Sequence, residues 1–168
     1  FLSAVTSMMM MINPKLSQMM IDEVITPQKP DLLPWFLGAM LLTQLVRLLL
    51  RHPDFELASV TSDALAGTPV SQAYPAFAGQ TDLVFSACDD AAFDGCDVAF
   101  LAVPHTASLG MAPGLLARGV SVIDLSADFR LKDPAVYERW YKTPHTASRL
   151  LPEAAFGLPE LARGELER

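Results

Sequence analysis

The sequence predicts an α/β fold built on a parallel sheet. Two apolar runs of strand length, Val98 to Val103 and Val120 to Leu125, flank a segment whose apolar residues have roughly helical spacing. Uninterrupted apolar runs rich in β-branched residues or Phe are typical of strands that are buried on both faces of a parallel sheet. We therefore expect a right-handed βαβ unit, with polar residues collected at the carboxyl ends of the strands.

The crossover helix of this unit is predicted over Ala107 to Arg118. It should end at Gly119, because glycine is common just after a helix. A second helix should follow at VYERWY, since Asp133 and Pro134 suit a helix N-cap and a first helical position. The remainder, Lys142 to Arg168, contains several prolines and is predicted to be a surface excursion.

Shorter elements are predicted before the βαβ unit. The uncharged run from Leu32 to Val46 is shorter than the roughly twenty apolar residues that a membrane span needs. A buried strand or turn that leads into a helix ending near His52 is the favoured interpretation. Strands are predicted at Phe55 to Thr61 and Leu83 to Ala87, and a short helix at Asp89 to Phe93.

Composition divides the chain into a leader and one domain. Residues 1–31 are rich in Met and lack the features of a secretory signal peptide, so we expect an irregular leader of unknown origin. Residues 32–168 are predicted to form a single domain, because a chain of 168 residues is hardly long enough for two.

Charge and cysteine content exclude several classes of partner. A formal net charge of −7 argues against nucleic acid or an anionic membrane surface as the main partner. The two cysteines, Cys88 and Cys96, are expected to be reduced thiols of a cytoplasmic protein. No metal site is expected, because the three histidines are scattered and no second cysteine pair has ligand spacing.

Polar side chains follow both strands of the predicted βαβ unit. Pro104 and His105 come after the first strand, and Ser126, Asp128 and Arg130 after the second. Ligands of open α/β sheets bind beyond the carboxyl ends of the strands, so both groups are expected to border one crevice. Arg130 could hold a carboxylate or phosphate while Asp128 orients it or accepts a ligand hydroxyl. An Asp128–Arg130 ion pair within a turn explains the same residues equally well.

The candidate acid, base and nucleophile residues stay ambiguous on sequence alone. A role in proton transfer fits the imidazole of His105. A lone histidine after a strand is more often a hydrogen-bonded loop residue or a wall of a cofactor pocket. Cys88 and Cys96 are interpreted as core or surface thiols, because no basic neighbour is evident and Cys96 precedes a strand at its amino end.

The chain contains four segments that together point to one family: LVRLLLRHPDFELASVTS, DVAFLAVPHTAS, GVSVIDLSADFRLKDPAVYERWY and FGLPEL. They lie between about Leu45 and Leu161. The joint occurrence of PHTAS, DLSADFRL and GLPEL, in this order and spacing, resembles the N-acetyl-γ-glutamyl-phosphate reductase family. The resemblance implies a Rossmann-like, doubly wound parallel sheet, incomplete in these residues, that binds the cofactor.

The resemblance also implies a chemistry. In such enzymes a cysteine thiolate displaces phosphate from a small-molecule acyl phosphate, and hydride from NADPH reduces the thioacyl intermediate to a semialdehyde of arginine biosynthesis. NADP is the implied cofactor, with NAD not excluded. A cytoplasmic homo-oligomer is implied for the complete enzyme.

Site residues are transferred from the family by position. Those implied at the cofactor are Gly38, Thr43, Ser62, Pro104 and His105, and those implied on the substrate side are Ser126, Asp128 and Arg130. Gly38 and Thr43 are the best matches to the family's glycine loop, which reads FLGAMLLTQ here and lacks two of its glycines. Asp63 follows Ser62 at a position where an arginine would favour NADP.

No catalytic residue is assigned. The family's nucleophile lies in an Asn-Pro-Gly-Cys segment beyond Gly-Leu-Pro-Glu, and this sequence does not contain that segment. We therefore expect a chain truncated before the catalytic domain and inactive alone. The alternatives are a non-catalytic module that keeps the sheet for oligomerisation or partner binding, and a related dehydrogenase of the aspartate-semialdehyde type.

Overall fold

The computed structural model describes residues 33–166 and, outside that range, Gln18 and Asp22. It has mixed α/β structure with a parallel sheet of two strands, which confirms the predicted fold class. The chain divides into two compact units, with the boundary after Asp94. The predicted leader, residues 1–31, lies outside the described residues apart from those two positions.

The first unit contains one long helix and several short helical turns. Helix α1 spans Leu33–Leu49, and the four-residue helix α2 spans Val70–Ala73. Single 3-10 turns occupy Asp63–Leu65, Pro75–Phe77 and Asp90–Phe93, and the last of these lies at the predicted short helix. Within residues 33–166, every helix falls short of the length and hydrophobicity that crossing a membrane requires.

Helix α1 begins earlier than the sequence predicts. The expected strand or turn at the start of the Leu32 to Val46 run is wrong, because the chain is helical from Leu33 onward. Pro34 is compatible with this start, since the first residues of a helix need no N–H for intrahelical bonds. The helix ends at Leu49, and the His52 N–H donates to the Leu49 carbonyl at 3.0 Å in the turn that follows.

The strands predicted at Phe55 to Thr61 and Leu83 to Ala87 are wrong as regular strands. A single parallel bridge between Thr61 and Ser86 joins the two segments. The second segment also forms one antiparallel bridge with Pro69, and proline has no N–H with which to extend a ladder. The pairing is therefore divided between two partners, and neither ladder grows beyond one bridge.

Hydrophobic packing holds the first unit together where regular pairing is short. Its core consists of five buried side chains: Val46, Val60, Val70, Phe77 and Phe85. The ring of Tyr74 packs beside this core, with its centroid 6.3 Å from that of Phe77 and 6.2 Å from that of Phe85. Residues from α1, α2 and both bridged segments therefore meet in one cluster.

The second unit is built on the predicted βαβ motif. Strand β1 (Val98–Leu101) pairs in parallel with strand β2 (Ser121–Asp124), and helix α3 (Ala107–Ala117) connects them. Each strand is shorter than the apolar run that predicts it. Ile123 on β2 is 43% exposed, so the predicted burial on both faces is wrong for β2 within the described residues.

Backbone conformation marks both ends of α3. Thr106 occupies the N-cap position with a φ of +76° and makes no side-chain cap. A positive φ is strained for a β-branched residue. At the other end Gly119 has a φ of +82°, which confirms the predicted helix stop.

Two glycines, Gly119 just after helix α3 and Gly110 inside it, give a matched test of the turn that ends the helix. Gly119→Ala is expected to destabilise the protein by about 1 kcal/mol, because alanine disfavours the left-handed conformation. Gly110→Ala is the control: this glycine lies inside α3 with open space around it, so the substitution should stabilise by roughly 0.5–1 kcal/mol. Urea denaturation measures both, and equal effects of the two substitutions would contradict the assigned turn.

Helix α4 (Pro134–Tyr141) begins as predicted, with the Asp133 carboxylate accepting the N–H of Ala135 at 2.8 Å. The predicted surface excursion after it is wrong in its first part. His145, Ala147 and Leu151 are buried, and Ala147 packs in a cluster with Leu109 and Tyr137. The prolines that flank these residues end helices but do not prevent packing. Helix α5 spans Pro159–Leu166.

Candidate functional site

The polar residues that follow β1 and β2 come together around one buried carboxylate. Asp128 is fully buried and accepts three hydrogen bonds. Its Oδ1 accepts the Thr106 N–H at 2.8 Å and the Tyr137 hydroxyl at 2.7 Å, and its Oδ2 accepts the Ser108 hydroxyl at 2.6 Å. The carboxylate therefore joins the segment after β1, the start of α3 and helix α4 to the segment after β2.

Ser126 continues this network toward the end of β2. Its Oγ lies 3.0 Å from the Ser108 Oγ, donates to the Asp124 carboxylate at 2.8 Å and accepts the Asp128 N–H at 3.1 Å. Each hydroxyl has one hydrogen: that of Ser108 is donated to Asp128 and that of Ser126 to Asp124, so the two carboxylates are held by neighbouring serine hydroxyls. One of the three Ser126 contacts is to a backbone group, the Asp128 N–H.

The guanidinium group of Arg130 donates hydrogen bonds to backbone carbonyl groups at the end of β2. Its Nε donates to the Ser126 carbonyl at 2.9 Å, and one terminal nitrogen donates to the Leu125 carbonyl at 3.1 Å. The alternative of an Asp128–Arg130 ion pair is wrong, because the Asp128 carboxylate is occupied by the three neutral donors. Arg130 remains exposed at the carboxyl end of the strand.

Pro104 and His105 lie in an exposed turn directly after β1. The turn is closed by the Ala107 N–H, which donates to the Pro104 carbonyl at 3.2 Å. The centroid of the His105 ring lies 6.1 Å from that of Tyr141, tilted by 39°. An exposed imidazole at the carboxyl end of a parallel strand is placed to contact a ligand.

Tyr137 and His145 belong to the same network, although the sequence analysis did not single them out. The His145 Nε2 lies 2.9 Å from the Asp128 carbonyl oxygen, and its ring packs edge-on against Tyr137 with centroids 4.8 Å apart. Its Nδ1 is buried and has no hydrogen-bond partner among the described residues. Neither residue could be found from sequence, because each reaches Asp128 only through the tertiary packing of α4 and the segment after it.

Burial raises the pKa of the Tyr137 phenol well above its ordinary value, and the hydrogen bond to the Asp128 carboxylate raises it further. The neutral phenol is therefore favoured in the folded state. The raised pKa of Tyr137 stabilises the folded state fully at pH values below the pKa of an unfolded tyrosine, near 10. This stabilisation is lost as the pH rises above that value.

The Tyr137→Phe substitution tests this pH dependence. Removing the hydroxyl is expected to cost about 1–2 kcal/mol at neutral pH, because a hydrogen bond to a charged group is lost. The stability of the variant should then fall less steeply than that of the wild type as the pH increases from 9 to 11. Chemical denaturation across this range measures the difference, and parallel curves would refute the assignment. Burial also raises the pKa of Tyr74, which both proteins retain.

Three predicted cofactor residues lie in the first unit. Gly38 is inside helix α1, and Thr43 on the same helix is buried. The free N–H groups of a helix belong to its first turn, so the backbone at Gly38 does not form a phosphate-binding loop. Ser62 is half-buried in extended backbone, and its N–H donates to the Ser86 carbonyl at 2.9 Å. The structure thus places Gly38, Thr43 and Ser62 in one unit and the remaining predicted site residues in the other.

The two thiols, Cys88 and Cys96, are both free cysteines. Cys88 is exposed in the first unit, where its N–H donates to the Asp63 carboxylate at 2.8 Å. Cys96 is half-buried, two residues before the amino end of β1. Among residues 33–166, no cluster of His, Cys, Asp and Glu side chains has the arrangement of a metal site.

A groove of about 650 Å³ runs along β2 in the second unit. Its lining is mainly apolar and includes Leu116, Ile123, Leu125, Phe129 and Phe156, with Arg130 among its polar members. Several of these apolar side chains are exposed, including Leu116 at 43% and Phe156 at 39%. The groove therefore combines an uncovered apolar strand face with a guanidinium group at the end of the strand.

Curated proteins with similar sequences share one name. The chain is 50% identical over 125 residues to an "N-acetyl-gamma-glutamyl-phosphate reductase" of Herminiimonas arsenicoxydans, a match that covers 74% of this chain and 36% of the relative. It is 49% identical over 125 residues to the protein of that name from Janthinobacterium sp. (strain Marseille), with the same coverage. The chain spans about a third of the length of these curated relatives.

The match at the level of a protein family covers most of the described residues. The family described as "Semialdehyde dehydrogenase, NAD binding domain" matches residues 39–168, which contain the βαβ motif and the Asp128 network. This agrees with the resemblance seen in PHTAS, DLSADFRL and GLPEL. The chain belongs to the semialdehyde dehydrogenase NAD-binding domain family.

Proposed function

We propose that this chain is the cofactor-binding part of an N-acetyl-γ-glutamyl-phosphate reductase and that it binds NADP. One observation supports this most directly: Asp128 joins the segments that follow β1 and β2 at the carboxyl edge of the sheet. That edge is where α/β domains of this kind bind dinucleotides. About 50% identity to reductases of that name supports the same assignment.

Only some of the predicted cofactor residues are arranged in a way that suits a bound dinucleotide. In the second unit, the exposed Pro104 and His105 offer a surface to the cofactor beside β1. In the first unit, Ser62 follows a parallel bridge and could contact a ribose hydroxyl. Gly38 and Thr43 do not provide the glycine loop, because helix α1 runs through both positions. We therefore propose that, within the second unit, affinity depends mainly on the Pro104–His105 turn.

In the complete reductase, we propose, bound NADPH supplies a hydride that reduces an acyl group derived from an acyl phosphate. Arg130 stands at the carboxyl end of β2 on the substrate side, where a guanidinium group attracts an anion. The chain by itself should not catalyse the reduction. We propose no nucleophilic role for Cys96, which precedes the amino end of β1, or for Cys88, which is an exposed residue of the first unit.

Titration calorimetry with NADPH and NADH tests the cofactor assignment. Saturable binding with a matching rise in melting temperature is the expected result, and NADPH should bind at least as tightly as NADH. The absence of binding by either nucleotide would refute the proposal.

His105→Ala is expected to weaken NADPH binding about tenfold, because a contact worth roughly 1.4 kcal/mol corresponds to a factor of ten. Arg139→Ala is the control, since Arg139 is exposed on α4 and lies outside the proposed site. The two dissociation constants are measured by the same titration. If the His105→Ala protein binds NADPH as tightly as the Arg139→Ala protein, His105 is not part of the binding site.

A second candidate function is a non-catalytic module for self-association. The exposed Ile123 and the apolar groove along β2 favour it, because an exposed apolar patch marks a surface for interaction with another protein chain. Analytical ultracentrifugation with and without NADPH separates the two functions. Stable oligomers that bind no nucleotide would favour the module. A dehydrogenase of the aspartate-semialdehyde type ranks below both, because the similar curated proteins are named for the other substrate.

A further inference from the structure

We propose that Asp128 is a positioning residue for the turn at Pro104–Thr106. Its carboxylate holds Thr106 in the left-handed conformation and thereby sets the direction in which His105 projects from the carboxyl end of β1. The consequence for the cofactor rests on the proposed function, whereas the effect on the turn does not.

The first step of the argument is the strain at Thr106. A threonine with a φ of +76° needs a compensating interaction, since its branched side chain disfavours this region. Its own hydroxyl does not cap helix α3. The compensating contact is the hydrogen bond of 2.8 Å from the Thr106 N–H to the Asp128 Oδ1, and a carboxylate acceptor makes such a bond strong.

The second step is that the carboxylate cannot move to relieve the turn. The hydroxyls of Ser108 and Tyr137 bind it from two different helices, at 2.6 and 2.7 Å. The backbone of Asp128 is held as well, by the Ser126 Oγ on its N–H and by the His145 Nε2 near its carbonyl oxygen. Asp128 is therefore a fixed point to which the turn is attached.

The third step connects this fixed point to the ring of His105. The Tyr141 ring lies 6.1 Å from the His105 ring and 4.7 Å from the Tyr137 ring, measured between centroids. Tyr137 in turn binds Asp128. The backbone after His105 and the ring that faces it are therefore attached to the same carboxylate, although His105 itself is exposed.

Three variants separate positioning from a general effect on stability. Asp128→Ala removes the acceptor of the Thr106 N–H. Asp128→Asn keeps an oxygen in reach of that N–H and serves as the conservative rescue. Tyr137→Phe removes a different hydrogen bond to the same carboxylate and leaves the Thr106 contact in place.

Amide hydrogen exchange by NMR is the primary measurement. Exchange at Thr106 should become at least a hundredfold faster in Asp128→Ala, when normalised to the Leu125 amide that bonds the Leu101 carbonyl. It should stay within tenfold of the wild-type value in Asp128→Asn and Tyr137→Phe. The His105 ring resonances should shift more in Asp128→Ala than in Tyr137→Phe, which keeps the Thr106 contact. Equal acceleration at Thr106 in Asp128→Ala and Tyr137→Phe would overturn the proposal.

NADPH titration of the same proteins adds the functional readout. Affinity should fall at least tenfold in Asp128→Ala and less than threefold in Tyr137→Phe and Asp128→Asn. If no protein binds NADPH, the proposed function fails, and the exchange rates still decide the role of Asp128. If Asp128→Ala does not fold, the wild-type rates decide: a Thr106 amide as protected as Leu125 supports the proposal, and one that exchanges like an exposed amide overturns it.

Discussion

Asp128→Ala is expected to destabilise the protein by about 3–5 kcal/mol, the largest effect of any polar substitution considered. The variant leaves the Thr106 N–H and the hydroxyls of Ser108 and Tyr137 without their acceptor in a fully buried position. Each unsatisfied buried donor costs roughly 1–3 kcal/mol, and water that enters the vacated space recovers part of the loss. Urea denaturation at neutral pH measures the change.

Asp128→Asn should cost no more than about 2 kcal/mol, because the hydrogen bonds can be rearranged without moving atoms. The amide oxygen replaces Oδ1 and accepts from Thr106 and Tyr137. The amide nitrogen replaces Oδ2 and donates to Ser108, whose hydroxyl then donates to Ser126, which already donates to Asp124. One amide hydrogen is left without a partner. If the asparagine variant were as unstable as the alanine variant, the negative charge would matter more than the three hydrogen bonds.

Phe77→Ala is expected to destabilise the first unit by about 3–5 kcal/mol. Phe77 is 2% exposed and packs in a core with Val46, Val60, Val70 and Phe85. In the described part of this unit only isolated bridges pair the backbone outside the helices and turns, so apolar burial supplies most of the stability there. Loss of one large buried ring leaves a cavity that the short turns around it fill only in part.

Phe55→Ala is the matched control in the same unit. Phe55 is 39% exposed and meets the His52 ring edge-on at a centroid distance of 4.8 Å. Its removal should cost less than about 1 kcal/mol, as is usual for a partly exposed side chain. Thermal denaturation followed by circular dichroism compares the two variants. A Phe77→Ala protein as stable as the Phe55→Ala protein would contradict the assignment of Phe77 to the core of this unit.

The βαβ motif could be predicted from the sequence because each of its parts has a local signal. Apolar runs mark β1 and β2, helical spacing marks α3, and Gly119 marks the end of that helix. Both strands are shorter than their apolar runs, since only part of each run pairs with the other strand. Local pattern therefore locates these elements, and pairing determines their ends.

The first unit could not be predicted to the same extent. The segment from Leu83 to Ala87 has the composition of a strand, yet it divides its pairing between Thr61 and Pro69. The start of α1 is as apolar as a buried strand, and composition alone does not distinguish the two. Non-local pairing decides both cases, and a single sequence carries no direct signal of it.

The candidate site was predictable in its location and not in its contacts. The position of Pro104, His105, Ser126 and Asp128 after parallel strands indicated a shared edge. Which side chain would pair with Asp128 depended on α4: the sequence left a ligand-binding role and an Arg130 ion pair open, whereas the structure has the Tyr137 hydroxyl at that carboxylate. A tyrosine hydroxyl gives no pattern that distinguishes a buried donor from a surface residue.

Chemical-shift mapping of NADPH binding by NMR tests the central claim most directly. The claim is that the carboxyl edge of the β1–β2 sheet binds a nicotinamide dinucleotide. Saturable shifts should appear at the amides of His105, Thr106 and the residues from Ser126 to Arg130. Shifts that do not saturate, or that appear only at α5 and leave His105 and Ser126 unchanged, would contradict it.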